Sequence, residues 1–290
     1  MSNELLGELI TLLNLEPIEE NIYRGQSQDL GFRQLFGGQV LGQALSAASY
    51  TVPEERVAHS LHGYFLRRGD ATFPVVFTVD RVRDGKSFSS RRVTAIQKGK
   101  PIFFCSASFH DPETGFEHQE KMPDVPGPDD LENEASLISR QLDTLPERVL
   151  ERVKRGRPIE IRPVSDFNPF VPKKGPAIRQ VWFKADGEVP NIASLHRYLL
   201  AYTSDFNLLT TSLLPHGKGF MDVDMEVASV DHSIWFHSQP KMNEWMLYSM
   251  YSPWAGDARG LVRAEIFSQD GKLVASVCQE GLIRQIKANP

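Results

Sequence analysis

The chain runs through one pattern twice. His59-Ser60-Leu61-His62 opens a segment whose runs 74–83, 89–97 and 101–109 are rich in β-branched and aromatic residues, with Lys98-Gly99-Lys100 between the last two. His232-Ser233-Ile234-Trp235 opens a second segment with runs 245–252, 261–268 and 273–284, and Asp270-Gly271-Lys272 stands at the corresponding turn. The two His-Ser pairs lie 173 residues apart and the two Gly-Lys pairs 172. One shared dipeptide would carry no weight, but matched turns and matched strand order at nearly one offset mark an internal duplication.

Each unit reads as antiparallel hairpins, and Asp270-Gly271 between two β-patterned runs is a strong hairpin signal. Ahead of each strand set lies a helical stretch, 36–50 in the first half and 194–214 in the second, with apolar residues at three- and four-residue spacing. A helix followed by several long strands is satisfied by a curved sheet wrapped around that helix, because each then covers the other's apolar face. This is the hotdog architecture, and its repetition predicts an α+β double hotdog. Residues 1–115 form the first hotdog domain, 116–157 a proline-rich linker with a helix at 131–154, and 158–290 the second domain. The linker is expected to be a tether packed across the units.

The net charge of -5, with Lys and Arg dispersed among acids, leaves no basic stripe for a phosphate backbone, so nucleic acid is excluded as a partner. Residues 1–15 carry Glu4 and Glu8 among leucines, which fits an amphipathic helix and no secretory signal. No apolar run reaches the length of a membrane span. Cys105 and Cys278 cannot build a disulfide framework and sit in β-patterned segments as small buried hydrophobes, so a cytoplasmic location is expected.

The chain lacks Gly-x-Ser-x-Gly, His-Glu-x-x-His, Cys-x-x-Cys and the phosphate loop, which disfavours serine α/β-hydrolase, zinc, dithiol and nucleoside triphosphate chemistry. Gly217-Lys218-Gly219 follows Pro215-His216 and reads as a turn. What stands out is polar residues on apolar faces. Tyr198, Tyr202, Asp205, Leu209 and Leu213 share one helical face, so Asp205 is either a carboxylate desolvated toward general-base use or a residue that caps the helix near Ser204 and Asn207. Counting by two along the last strand puts Gln279 on the face of Leu273, Ala275 and Val277, where it can meet Asp205 if that face looks onto the helix. Ser229, just ahead of the second His-Ser pair, carries little weight by itself. The first helix has Gln39 and Gln43 but no acid, which points to one site per chain, in the second half. Gly37-Gly38 serves either a close backbone approach or a tight start to the helix. His59, His62, His232 and His237 recur in part at equivalent positions, which favours a structural role.

Phe36-Gly37-Gly38-Gln39-Val40, His59 through Arg67, Tyr202-Thr203-Ser204-Asp205, Asp231 through His237 and Gln279-Glu280-Gly281 together resemble bacterial acyl-CoA thioesterase II, in order and spacing, over nearly the whole chain. The resemblance implies hydrolysis of medium- to long-chain fatty acyl-CoA by a water-activating trio that falls on Asp205, Ser229 and Gln279. The family pattern carries Thr where this chain has Ser229. No metal or bound cofactor is implied, and a homo-oligomer is. The competing expectations are a hotdog hydratase or dehydratase and a non-catalytic acyl-CoA binding protein in which Asp205 is only a cap.

Overall fold

The computed structural model describes residues 2–31, 33–140, 156–165 and 172–286. Helix α1 (Ser2–Leu13) is followed by strands β1 (Glu16–Glu19) and β2 (Ile22–Gly25), then helix α2 (Gly37–Ser49) and strands β3 (Val57–Phe65), β4 (Val75–Asp84), β5 (Phe88–Gln97) and β6 (Lys100–His110). A short helix α3 (Glu134–Ser139) precedes β7 (Ile159–Pro163), β8 (Ile178–Ala185) and helix α4 (Ala193–Thr203). The chain continues through β9 (Met225–Ser229), β10 (Asp231–Phe236), β11 (Met246–Gly256), β12 (Arg259–Ser268) and β13 (Leu273–Gln285).

All these strands join one antiparallel sheet in the order β1-β2-β4-β5-β6-β3-β10-β13-β12-β11-β8-β7, with β9 added on β13. The halves meet where β3 pairs with β10, from Asp231 opposite Tyr64 to Trp235 opposite Ser60. The alternation within strands places the core. On β4, Val75, Phe77 and Val79 are buried, and on β13 Ala275, Val277, Gln279 and Gly281 face inward together, as counting by two predicts.

The sheet wraps two helices. From Gly38 to Ala48 every residue of α2 is buried, and its Gly, Ala and Ser content keeps the helix thin enough to be enclosed. Gln39 and Gln43 are buried with it and satisfied by backbone: the Gln43 amide donates to the Leu12 and Gln26 carbonyls at 2.9 and 2.8 Å. Gly38 and Gly42 let α4 lie against α2. A Cβ on Gly38 would stand 2.2 Å from the Tyr202 carbonyl oxygen, and one on Gly42 3.0 Å from that of Tyr198. The glycine pair therefore serves helix-to-helix contact as well as the start of α2.

The second helix differs from its predicted extent. It stops at Thr203; Ser204 is its C-cap, Asn207 takes a left-handed φ of 59°, and a 3₁₀ segment runs from Leu209 to His216. The Thr203 hydroxyl donates to the Leu199 carbonyl, and the Ser204 hydroxyl lies 2.9 Å from that of Ala201, a side-chain competition that accompanies termination. The described part of the segment between the halves lies across the second one: the Gln119 amide donates to Gly271 O at 2.8 Å, and the Trp182 indole donates to Pro126 O at 2.9 Å. The helix expected at 131–154 is seen as α3, N-capped by Asn133; residues 141–155 lie outside the described residues.

Candidate functional site

Asp205, one residue beyond the cap of α4, turns its carboxylate toward the start of α2. The Gly38 N–H donates to it, and Oδ2 lies so close to Gly37 that a Cβ there would be 2.6 Å away. From β13, the Gln279 amide nitrogen donates to Asp205 Oδ1 at 3.1 Å and to Ser229 Oγ at 2.5 Å. Ser229 ends β9 and sits opposite Gly281 on β13, which is what brings its hydroxyl level with Gln279. The three residues singled out in the sequence thus meet, from a helix terminus and two paired strands. Ser204, and not Asp205, is the C-cap of α4; Asp205 follows it and joins the polar cluster.

The electrostatics of the carboxylate are a contest. Two N–H donors and the positive end of a 13-residue helix favour the ionised form. Burial opposes them and prevails: desolvation pushes the Asp205 pKa up from 3.8 to about 7, against the lowering effect of the Gln279 and Gly38 hydrogen bonds. The group is balanced between its two forms near neutrality, the range useful to a general base.

Sequence reasoning missed two neighbours, His232 and Tyr248. His232, on β10, is fully buried, with Nδ1 3.9 Å from Asp205 Oδ1 and Nε2 2.9 Å from Ser204 Oγ. Burial drives its pKa down to about 4, so the ring is neutral. Its counterpart His59 is only half-buried and contacts Ser108 Oγ at 2.8 Å. Repeated position therefore did not mean repeated role; the usable signal was proximity in sequence to Ser229. Tyr248 closes the polar cluster from β11, donating its hydroxyl to Ser204 O at 2.6 Å.

A cavity of about 1050 Å³ opens beside the cluster, with Asp205 and Ser229 in its wall and Leu35, Ile159, Leu208 and Leu209 among its apolar lining. A second, of about 220 Å³, shares Gly37 and Ser229 and is lined by Val40, Phe65 and Phe103. Among the described residues, no three His, Cys, Asp or Glu side chains gather in a way that could hold a metal ion, and no helix is long and apolar enough to cross a membrane.

The chain as a whole has known relatives. Residues 151–282 match the family model described as acyl-CoA thioesterase, and residues 26–110 match that of the acyl-CoA thioesterase N-terminal domain. Acyl-CoA thioesterase 2 of Haemophilus influenzae is 48% identical over 282 residues, covering 97% of this chain and 99% of that protein. The chain belongs to the acyl-CoA thioesterase family. It is a thioester hydrolase, and the solved structure of acyl-CoA thioesterase II TesB2 from Mycobacterium marinum resembles it with a TM-score of 0.78 at 40% identity, covering 96% of this chain and 98% of that one. A protein of Alicyclobacillus acidocaldarius with a hot dog fold superposes with a TM-score of 0.75 at 19% identity, covering 98% of this chain and 99% of that one, a likeness of fold alone. The thioesterase is thus a double hotdog, as the duplicated order of helix and strands predicts.

Proposed function

We propose that this chain hydrolyses medium- to long-chain fatty acyl-CoA to free fatty acid and CoA, with Asp205 as general base on a water held by Ser229 and Gln279. The observation that carries the reading is convergence. A buried carboxylate with proton affinity near neutrality sits in the wall of a cavity with a mixed apolar and polar lining, joined to an amide and a hydroxyl that arrive from other elements. Asp205 takes a proton from the water, the incipient hydroxide adds to the thioester carbonyl, and the tetrahedral adduct collapses to the fatty acid as its C–S bond breaks, the departing thiolate taking up the proton that Asp205 received from the water. Ser229 Oγ accepts from Gln279, so its own hydrogen is available to orient the water. A thioester carbonyl is weakly stabilised by resonance, and one positioned base is sufficient for attack by water without a covalent intermediate. The cavity lies at the upper end of the usual range for small-molecule sites, which suits a long substrate.

The test is release of free thiol from octanoyl-CoA and palmitoyl-CoA across pH. Turnover of both is expected. Because the base must be ionised, kcat should climb with pH through about 7 and be roughly a hundredfold lower at pH 5 than on the alkaline plateau. Binding of both with no thiol released would make this a binding protein, and consumption of an enoyl-CoA without thiol release a hydratase.

A second test bears on Asp205 alone. In Gly37→Ala the new Cβ meets Asp205 Oδ2 at 2.6 Å and the Phe65 ring at 3.0 Å, so the carboxylate must swing away. The expected result is a fall of about tenfold or more in kcat with thermal unfolding little changed, since the displaced atoms are side-chain atoms. Unaltered kcat would show that the carboxylate position is immaterial.

The proposal keeps residues 1–115 and 158–290 as the two hotdog domains; one family match, 26–110, lies within the first, and the other, 151–282, covers most of the second and begins in the linker. It places the protein in the cytoplasm, on its two unpaired cysteines. It includes a homo-oligomer, supported by the outward aromatic pair Tyr64 and Phe104 and by Trp235 on the adjoining strand.

A further inference from the structure

We propose that His232 is a positioning residue: a proton on its Nδ1 holds the Gln279 carboxamide so that the nitrogen, and not the oxygen, faces Asp205 and Ser229. The inference rests on the reading of Asp205, Ser229 and Gln279 as the catalytic group. The two ends of a carboxamide are nearly the same size, so shape does not choose between them. The difference is electrical. With nitrogen forward, Gln279 donates to Asp205 Oδ1 and Ser229 Oγ and uses both of its hydrogens. With oxygen forward it would present an acceptor to a carboxylate that must ionise to act.

Two buried atoms beside this amide meet no partner at ordinary hydrogen-bonding geometry, Gln279 Oε1 and His232 Nδ1. They belong to neighbouring side chains, both fully buried, and the amide is near enough to favour a proton on the ring. The ring's other nitrogen fixes the alternatives. Ser204 Oγ is 2.9 Å from His232 Nε2 and 2.9 Å from Ala201 O, and its single hydrogen can serve only one of them. If it goes to Ala201, His232 must carry its proton on Nε2. Nδ1 is then a bare acceptor beside Gln279 Oε1, two buried acceptors without a donor, and 3.9 Å from a carboxylate oxygen that must ionise. If it goes to His232 Nε2, the ring proton sits on Nδ1 and points into that group. Ala201 O then loses a donor, but it lies in the last turn of α4, where carbonyls are left open by the helix itself. The Nδ1–H form therefore gives the orphaned amide oxygen its donor and fixes the amide by the end remote from the water.

Substitutions separate the two ring nitrogens. In full-length chains shown to be folded, His232→Asn restores an N–H near the Nδ1 position, His232→Gln reaches only toward Nε2, and His232→Leu supplies neither. Thiol release from octanoyl-CoA is expected to lose roughly ten- to hundredfold in kcat in the Leu and Gln variants, with KM nearly unchanged, while the Asn variant stays within about fivefold of wild type. Equal damage in the Asn and Leu variants, or wild-type kcat in the Leu variant, overturns the proposal. Asp205→Asn, measured alongside, separates the levels: if it is inactive while the His232 series is flat, only the role of His232 falls; if it is fully active, the reading of the trio falls first. Should the variants not fold, nitrogen-15 shifts of the His232 ring in the wild-type protein decide the matter, a protonated Nδ1 supporting the assignment and a bare Nδ1 defeating it.

Discussion

Asp205→Asn is expected to lower kcat for thiol release by about a hundredfold or more while making the protein harder to unfold at pH 8. The loss follows from removing the carboxylate that lines the cavity and takes a proton from water. The gain follows from linkage. In the unfolded chain the carboxyl titrates near 3.8, and in the fold near 7. Between those values the folded state holds a proton that the unfolded state has released, so stability falls as pH rises from about 4 to about 7 and stays at its lower level above. At about 1.4 kcal/mol for each tenfold change in proton affinity, the penalty at pH 8 reaches about 4 kcal/mol, less whatever local relaxation recovers. Asn keeps one oxygen to accept with, gives up the second acceptor of the carboxylate, and carries no such ionisation penalty. Denaturation of wild type and variant should therefore diverge at pH 8 and converge near pH 4. His232 works in the opposite sense over nearly the same interval: its folded pKa is depressed from 6.5 to about 4, so its contribution is lost as pH falls through that range. It is common to both proteins and cancels in the comparison. An Asn variant that is inactive but no more stable at pH 8 would mean that the carboxylate is solvated, contrary to its burial.

The second large effect is predicted at Gly38. Its Cβ position is 2.2 Å from a backbone oxygen, Tyr202 O, and no side-chain rotation relieves that contact. Gly38→Ala must force α2 and α4 apart, which costs about 2–3 kcal/mol or more and outweighs the gain of about 1 kcal/mol that alanine brings to a helix. The same movement withdraws the Gly38 N–H from Asp205. Gly7→Ala is the control, because nothing stands within 4 Å of its Cβ on the exposed side of α1, and it should stabilise slightly. Gly42→Ala should fall between the two, since its nearest obstacle is the movable end of Leu13 at 2.7 Å. Chemical unfolding that ranks Gly38→Ala with Gly7→Ala would show that the helices are not in tight contact.

The long strands and α2 were legible in the sequence because each is a long run rich in apolar residues, with clear alternation in β5, and the duplicated turns supplied their order. The peripheral strands were harder. β1 is a four-residue stretch of exposed residues, and β9 is half-buried throughout, so neither carries alternation to detect. β7 is different: Ile159, Ile161 and Pro163 alternate inward, a readable pattern in a segment taken as the start of a domain. At the site, Asp205 and Gln279 were visible as polar residues on apolar faces. That Ser229 would join them depended on resemblance, because its position is set by the pairing of β9 with β13, which local sequence does not encode. The dual use of Gly37 and Gly38 was hidden for a related reason: a glycine records that something comes close but not what.

The two halves of the thioesterase share one frame but not one task. Thr51 follows the cap of α2 as Asp205 follows that of α4, yet Thr51 is gripped by the buried Arg91, which donates to its hydroxyl at 2.7 Å and its carbonyl at 2.9 Å. One end of the duplicated frame faces a cavity, and the other is plugged by a guanidinium. In a symmetric pair of identical chains, any change to this position would appear at both ends at once. Fusion removes that constraint, so a substitution at the Arg91 end acts on folding, one at the Asp205 end acts on turnover, and the two can vary separately.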